Sequence, residues 1–252
     1  MTLLDIRNEA WEVARDTLAG SMVDGDRLWP SAEMNRYINR TYRKIARDTR
    51  CIRDASTPAV CQIAVAPIDY TTYQVGTLDY QWANTLGSWM YHLNVAPYLL
   101  PLHPSIIDID EVKWTTQYWK LTHVSVTKWQ PNTIWEQVIG MPTEFATDLQ
   151  ANMIALNYRA TTTDTLRLSV KRMPLVDLSA DGDIPEFRSE YHDFILAGVL
   201  EQMYSKQDIE CFDGKKAAEY KAEFLDNIDQ IKKQERILNQ HLNVNVSLNA
   251  FR

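Results

Sequence analysis

The stretch SAEMNRYINRTYRKIARD, residues 31–48, carries the pattern that decides the fold. Its apolar side chains recur at steps of three and four residues, which predicts a helix over roughly 32–48 with one buried face. That face comprises Met34, Ile38, Thr41 and Ile45. Pro30 and Ser31 stand directly before it as a helix start signal. One helix cannot cover its own apolar stripe, so other elements must pack against this one.

Three other segments have helical periodicity. They predict a first helix over roughly 2–18, a third from just after Pro185 to about Gln207, and a fourth over roughly 215–239. The four helices thus form one hairpin at each end of the chain. Because an isolated hairpin leaves apolar surface uncovered, the two hairpins most simply pack together as a four-helix core. The alternative is two independent hairpins on either side of a β domain.

Between the hairpins the apolar pattern changes to a period of two, which is typical of strands. The alternating segments are 59–67, 106–114, 121–129, 154–158 and 166–170. The links between them are short, which favours antiparallel pairing over helical crossovers. The predicted fold class is therefore α+β, a four-helix core with an antiparallel β-rich insert and an extended C-terminal arm. The predicted domains are hairpins at 1–57 and 181–240, the β-rich insert at 58–180, and the arm at 241–252.

The arm, residues 241–252, follows the fourth helix and returns to a period of two. Its backbone needs a sheet edge, either in the chain's own insert or, by strand addition, in another protein chain. The candidate binding residues of the arm are Leu242, Val244, Val246, Leu248, Phe251 and Arg252.

Charge is unevenly distributed along the chain. Residues 31–53 hold seven basic and two acidic side chains, a local charge of +5 in a chain of net charge −7, so the remainder carries −12. An acidic protein gains no general attraction to DNA. The candidate docking stripe comprises Arg36, Arg40, Arg43 and Arg47, with Lys44 as the alternative to Arg43. It is either a solvated face or a contact surface for an acidic partner, with a protein favoured over DNA.

Motifs for catalysis or cofactor binding are missing from the sequence. The three cysteines have no CxxC spacing, and no nucleotide-binding or metalloprotease motif occurs. Asp108 and Asp110 lie two residues apart on a predicted strand and so face the same way. They fit a metal site, a solvated strand face or the acidic lining of a channel. We expect no cofactor, no resident metal and no membrane segment, and we expect synthesis in the cytoplasm.

Tryptophan is concentrated in the predicted insert, where six of the eight lie between residues 82 and 135. Such residues serve as core, as interface anchors or as sugar-stacking platforms. Trp114, Trp119 and Trp129 are the candidates for a large protein contact made by the insert, and sugar binding is the rival interpretation.

Two segments resemble the head-to-tail adaptor proteins of tailed bacteriophages. WPSAEMNRYINRTYRKIA at 29–46 is similar to the loop and second helix of these head-completion or neck connector proteins, and IPEFRSEYHDF at 184–194 to the start of their third helix. A polar break at 208–210 and a long final helix follow in the family's order. The podophage tail tubular ring proteins are a group related to these adaptors. The resemblance covers about half of the chain and leaves 76–120 unmatched.

This resemblance implies a structural virion protein and not an enzyme. The expected assembly is a ring of twelve copies in the neck, beneath the portal, which joins it to the tail and lines the DNA exit channel. The expected partners are the portal protein, tail or nozzle proteins, neighbouring copies and double-stranded DNA in transit, with no membrane. The arm would then grip the portal, or a neighbouring copy, and Asp108 and Asp110 would face the channel. The alternatives are a carbohydrate-contacting β module on a helical stalk, and a metal-dependent enzyme that uses the two aspartates with a distant histidine.

Overall fold

A computed structural model describes residues 1–16, 24, 27–65, 99–130, 138–208 and 212–242, with side chains up to residue 238. The chain divides into two compact units. Residues 1–52 and 173–252 form a helical unit, and residues 53–172 form a β unit.

Four long helices make up the described core of the helical unit. They are α1 (Leu3–Ala14), α2 (Ser31–Thr49), α4 (Phe194–Tyr204) and α5 (Gly214–Leu242). Helix α4 packs against the other three, and α2 also contacts α1 and α5. The predicted stripe of α2 is completely buried, as are Ile195 and Val199 of α4 and Ile231 of α5. The α+β class and the four-helix core are therefore confirmed.

The helix ends differ from the prediction. Helix α1 ends at Ala14 and not near residue 18, because Arg15 adopts a left-handed conformation (φ 58°) and its N–H bonds back to the Glu12 carbonyl. A 3-10 turn at Ser189–Tyr191 precedes α4, which is shorter than expected. Helix α5 continues to Leu242, so residues 241 and 242 are helical and not extended. The rest of the arm, 243–252, lies outside the described residues.

The larger sheet of the β unit is organised around one long strand. This strand, β8 (Asp164–Arg172), pairs antiparallel with β1 (Arg53–Asp54), β2 (Gln62–Val65) and β4 (Ile106–Trp114). A short helix, α3 (Pro58–Cys61), precedes β2, where the sequence pattern had predicted strand. Leu166, Leu168 and Val170 of β8 are buried, in agreement with the predicted alternation.

The second sheet is more irregular than predicted. It runs in the order β3 (Leu99–Pro101), β7 (Met153–Leu156), β6 (Glu144–Ala146) and β5 (Thr122–His123). The β5–β6 pair is parallel, so the prediction of wholly antiparallel pairing is wrong there. The link between them, residues 124–143, is long enough to return the chain to the same end of the sheet. Part of the predicted strand at 121–129 is instead a 3-10 turn at Val126–Lys128.

Gly198 marks the tightest approach of α4 to its neighbours. A Cβ atom at this position would lie 2.6 Å from Cγ2 of Thr41 on α2 and 2.8 Å from Cε2 of Phe224 on α5. We expect Gly198→Ala to destabilise the protein by about 1–3 kcal/mol through overpacking, which exceeds the gain in helix propensity of about 1 kcal/mol. Thermal and urea unfolding would measure this loss.

Gly182→Ala is the matched control, because among the described residues no atom other than those of its chain neighbours lies within 4 Å of a Cβ placed there. Its effect should be small. Thr41→Ser removes the clashing methyl group and should recover part of the stability lost in Gly198→Ala. Equal stability of Gly198→Ala and the parent chain would contradict the assignment of this contact.

An ion pair joins the first and last strands of the β unit. Arg172 Nε donates to Asp54 Oδ2 at 2.7 Å, and both side chains are buried. Burial raises the pKa of Asp54. Hydrogen bonds from Thr57 and Ser56, together with Arg172, outweigh it and hold that pKa well below its usual range. The ionised carboxylate therefore stabilises the β unit.

The sign of the resulting pH dependence follows from this lowered pKa. The contribution of Asp54 is fully present above its unfolded-state pKa of about 3.9 and is lost as the pH falls through its folded-state pKa. We expect Asp54→Asn to destabilise by about 3–5 kcal/mol at neutral pH, with a difference from the parent that shrinks below about pH 4. Tryptophan fluorescence during urea unfolding suits this measurement, because six of the eight tryptophans lie in the β unit. A difference that stays constant down to low pH would contradict it.

Candidate functional site

The basic stripe of α2 faces solvent in the structure. Arg36, Arg40, Arg43 and Arg47 are exposed, whereas Met34, Ile38 and Ile45 on the opposite side have no exposed surface. The helical period separates the two faces, because steps of four and three residues return to the same side of a helix. The stripe is therefore placed as the sequence predicted.

An open groove of about 870 Å³ lies along this stripe, within the helical unit. Its lining includes five basic side chains, Arg36, Arg40, Arg43, Lys44 and Arg47, and two acidic ones, Asp177 and Glu201. The apolar part includes Phe224 and Gly198, and Lys44 Nζ lies 4.7 Å from the centre of the Phe224 ring. We call this surface the basic groove. With three more positive than negative charges, it is suited to an anionic or acidic partner.

The charges of the basic groove are only partly compensated within the chain. Arg43 pairs with Asp177, and Arg47 Nε lies 3.0 Å from Asp48 Oδ1. Such exposed pairs contribute about 0–1 kcal/mol each, so a partner can displace them at little cost. Within the described part of the chain Arg36 and Arg40 make no direct ion pair, although the charge of Arg36 helps to lower the pKa of Glu33. These two side chains hold the charge most readily available to a partner.

The groove contains residues that the sequence did not single out. Asp177 and Glu201 come from segments more than a hundred residues further along the chain, whereas Lys44 lies on the predicted stripe as the alternative to Arg43. Gln202 of α4 is also part of the lining, where its Nε2 donates to Thr41 Oγ1 at 2.8 Å. The position of Lys44 in the same helix was enough to predict it. No sequence pattern pointed to Asp177, Glu201 or Gln202, because only packing brings them beside α2.

Asp108 and Asp110 share one lysine of the neighbouring strand. Lys171 Nζ lies 2.7 Å from Asp110 Oδ1 and 3.6 Å from Asp108 Oδ2. Irregular register between β4 and β8 in this stretch brings both carboxylates to the same cation. Among the described residues no group of three or more potential ligands could hold a metal ion. The arrangement fits an ion-paired strand face and gives no support to a catalytic metal.

Two of the three candidate interface tryptophans are core residues. Trp114 is 1% exposed, and its Nε1 donates to the Pro142 carbonyl at 3.1 Å. Trp129 is 7% exposed and donates to Glu144 Oε2 at 2.8 Å. Neither ring can reach a partner or stack on a sugar in this conformation. The candidate contact surface is therefore reduced to Trp119, which is 58% exposed, with Tyr118 beside it.

Comparison with known proteins identifies the family. A family model described as SU10 adaptor protein matches residues 1–246. The chain belongs to the SU10 adaptor protein family. The match spans both helical segments and the insert, so it includes the stretch 76–120, which the resemblance of the two helical segments leaves unmatched. A search of curated proteins gave no match.

Membership in the SU10 adaptor family makes this chain a structural adaptor protein of a phage and a component of the virion. The family thus confirms the resemblance found in the two helical segments. None of the described helices of this adaptor has the length and apolarity to cross a bilayer.

The two described cysteines of this SU10 adaptor chain are unsuited to nucleophilic chemistry. Both are buried, and burial raises the pKa of Cys51 and of Cys61 to about 11. At neutral pH each is therefore a thiol and not the reactive thiolate.

The different burial of two tryptophans gives a direct test of their roles. Trp114→Ala should destabilise the β unit by about 3–5 kcal/mol, because it opens a cavity and leaves the Pro142 carbonyl without its donor. Trp119→Ala should change stability by no more than about 0.5 kcal/mol. Urea unfolding followed by fluorescence would compare them. Comparable losses for the two variants would show that Trp119 is also a core residue.

Proposed function

We propose that this SU10 adaptor forms a twelve-membered ring in the neck of the virion, beneath the portal, and joins the portal to the tail. Neighbouring copies in such a ring meet through two different surfaces of each subunit, as closed head-to-tail assembly requires. The portal protein and the tail or nozzle proteins are its partners, and its role is structural. The protein would be made in the host cytoplasm and assembled there into particles.

The basic groove supports this proposal and indicates which residues make the contact. It gathers five basic side chains on the surface of a chain whose net charge is −7. Exposed arginines cost the fold little, and their charge steers a complementary acidic surface towards the groove and fixes its orientation there. Incorporation into the neck would therefore use this groove as a docking surface for an acidic protein segment.

Double-stranded DNA is a weaker candidate for the basic groove than a protein. Duplex binding strengthens with each phosphate that a protein neutralises, and a copy of this chain brings more acidic than basic residues to the particle. A negative balance suits a channel through which DNA slides without adhering. In the proposed ring Asp108 and Asp110, about a third exposed beside Lys171, face this channel.

The arm is the second proposed attachment device. Beyond Leu242, the last residue of α5, the apolar side chains of Val244, Val246 and Leu248 alternate with polar ones. This pattern suits a strand added to the edge of a sheet in the portal or in a neighbouring copy. Ten further residues extend to about 33 Å, which is enough to reach an adjacent subunit.

Phage particles made without this gene and supplied with variants of the chain would test the proposal. With the full chain, imaging of the neck should show twelve copies beneath the portal, and particles without it should hold filled heads that lack tails. A chain that ends at Leu242 should fold but should be missing from purified particles, because the added strand is lost.

Two matched triple variants distinguish the contribution of the arm's apolar side chains from that of its length. Val244→Asn, Val246→Asn and Leu248→Asn together should act like the truncation, whereas Asn243→Ser, Asn245→Ser and Asn249→Ser should preserve attachment. A chain found outside the neck, or present there in a number other than twelve, would overturn the proposed ring.

A further inference from the structure

Helix α5 carries an acidic stripe on the side that faces away from the core. Glu219, Glu223 and Asp226 are exposed, whereas Phe224, Ile228 and Ile231 of the same helix are buried. At 100° per residue, the three acids fall within about 60° of one another and opposite the buried face. We call them the acidic stripe. It belongs to the helical unit, as the basic groove does, but to a different surface of it.

The acidic stripe and the basic stripe have the same spacing. Arg36, Arg40 and Arg43 are separated by four and then three residues, and so are Glu219, Glu223 and Asp226. At 1.5 Å per residue both rows of charge extend over about 10 Å, so the two helices can set three opposite charges side by side. The next step of four residues reaches Arg47 on α2 and Gln230 on α5. The intervals between these positions are four, three and four residues in either direction along the helix. The charged positions can therefore be aligned whether the two helices run parallel or antiparallel.

The charges also match in number, and few internal contacts compete. The basic groove has three more basic than acidic side chains, and the stripe has three acids. Glu219 lies 4.0 Å from Lys215, a highly exposed pair, and Asp226 accepts a hydrogen bond from Gln230 Nε2 at 2.8 Å. Both interactions lie on the surface of the helix and can be exchanged for arginine partners at little cost.

We propose that the basic groove of one copy receives the acidic stripe of helix α5 from a second copy. This inference rests on the proposed adaptor ring and names the partner at the groove. Because groove and stripe are different surfaces, each copy offers its groove to one neighbour and its α5 to the other. Repetition of such a head-to-tail contact closes into a ring when the rotation between copies permits. The contact needs no additional protein, and it weakens as salt concentration rises.

Charge reversal on each side gives two variants that test this contact in particles. The groove variant carries Arg36→Glu, Arg40→Glu and Arg43→Glu. The stripe variant carries Glu219→Lys, Glu223→Lys and Asp226→Lys. All six residues are exposed, so both variants should keep the circular dichroism spectrum and melting temperature of the parent. Each variant repels its own copies, but the groove of each attracts the stripe of the other.

The expected outcome is reciprocal rescue. Phage lacking the gene should give no more infectious particles with either variant alone than with no protein. The two variants supplied together should restore titre, because they can alternate around a ring with an even number of copies. A chain that carries all six reversals should also restore titre alone, since its groove and stripe are again complementary. The matched control, Glu9→Lys, Glu12→Lys and Glu190→Lys, changes charge equally at exposed sites away from the stripe and should keep parental titre.

Three results would overturn the inference, and each is distinct from failure of the proposed function. A normal titre with the stripe variant would show that the groove has a different partner. A normal titre with the groove variant would show that the groove is not used in assembly. Failure of both the mixture and the six-residue variant would show that the two stripes serve different partners. Failure of the proposed function itself would instead appear as absence of the parental chain from the neck.

Discussion

The close approach of α4 to α2 and α5 at Gly198 is the constraint on which the helical unit depends. The backbone of α4 lies so near Thr41 and Phe224 that there is no room for a side chain between them. Since α2 and α4 come from segments separated by the whole β unit, this packing is what closes the unit around a common core. The same approach places Glu201 and Gln202 of α4 beside the arginines of α2, so it also builds the wall of the basic groove.

Helix α2 performs two tasks that do not compete for the same residues. Its buried face supplies Met34, Ile38 and Ile45 to the core, where loss of packing is costly. Its outer face holds arginines whose replacement affects stability little. Surface charge can therefore specialise for recognition without a penalty to the fold. An approaching partner excludes water and so strengthens the attraction between paired charges, while the removal of water from those charges offsets part of this attraction.

The β unit depends on a different kind of interaction. Its central strand β8 joins three others, and the buried pair of Asp54 and Arg172 connects the first strand of the unit to the last residue of β8. Breaking a buried pair leaves an uncompensated charge, which costs more than the intact pair contributes. The indole N–H groups of Trp114 and Trp129 likewise find acceptors at Pro142 and Glu144. Because both indole N–H groups have hydrogen-bond acceptors, these large side chains can be buried in the core at little cost.

By itself, the sequence determined the four helices, the buried stripe of α2, the exposed arginines and the resemblance that the family match confirmed. These features are local, because a period of 3.6 residues separates the two faces of one helix whatever surrounds it. The sequence did not predict where α1 ends and where α4 begins and ends, the parallel pairing of β5 with β6, or the burial of Trp114 and Trp129.

Only the tertiary structure decided which distant residues complete each site. Asp177 and Glu201 stand beside the arginines of α2, and Lys171 lies between Asp108 and Asp110, because helices and strands far apart in the chain pack together. A tryptophan in an alternating segment has the same local pattern whether it is buried or exposed, and only its neighbours in space distinguish the two. Periodicity reports which way a side chain faces within its own element, whereas long-range packing decides what it meets there.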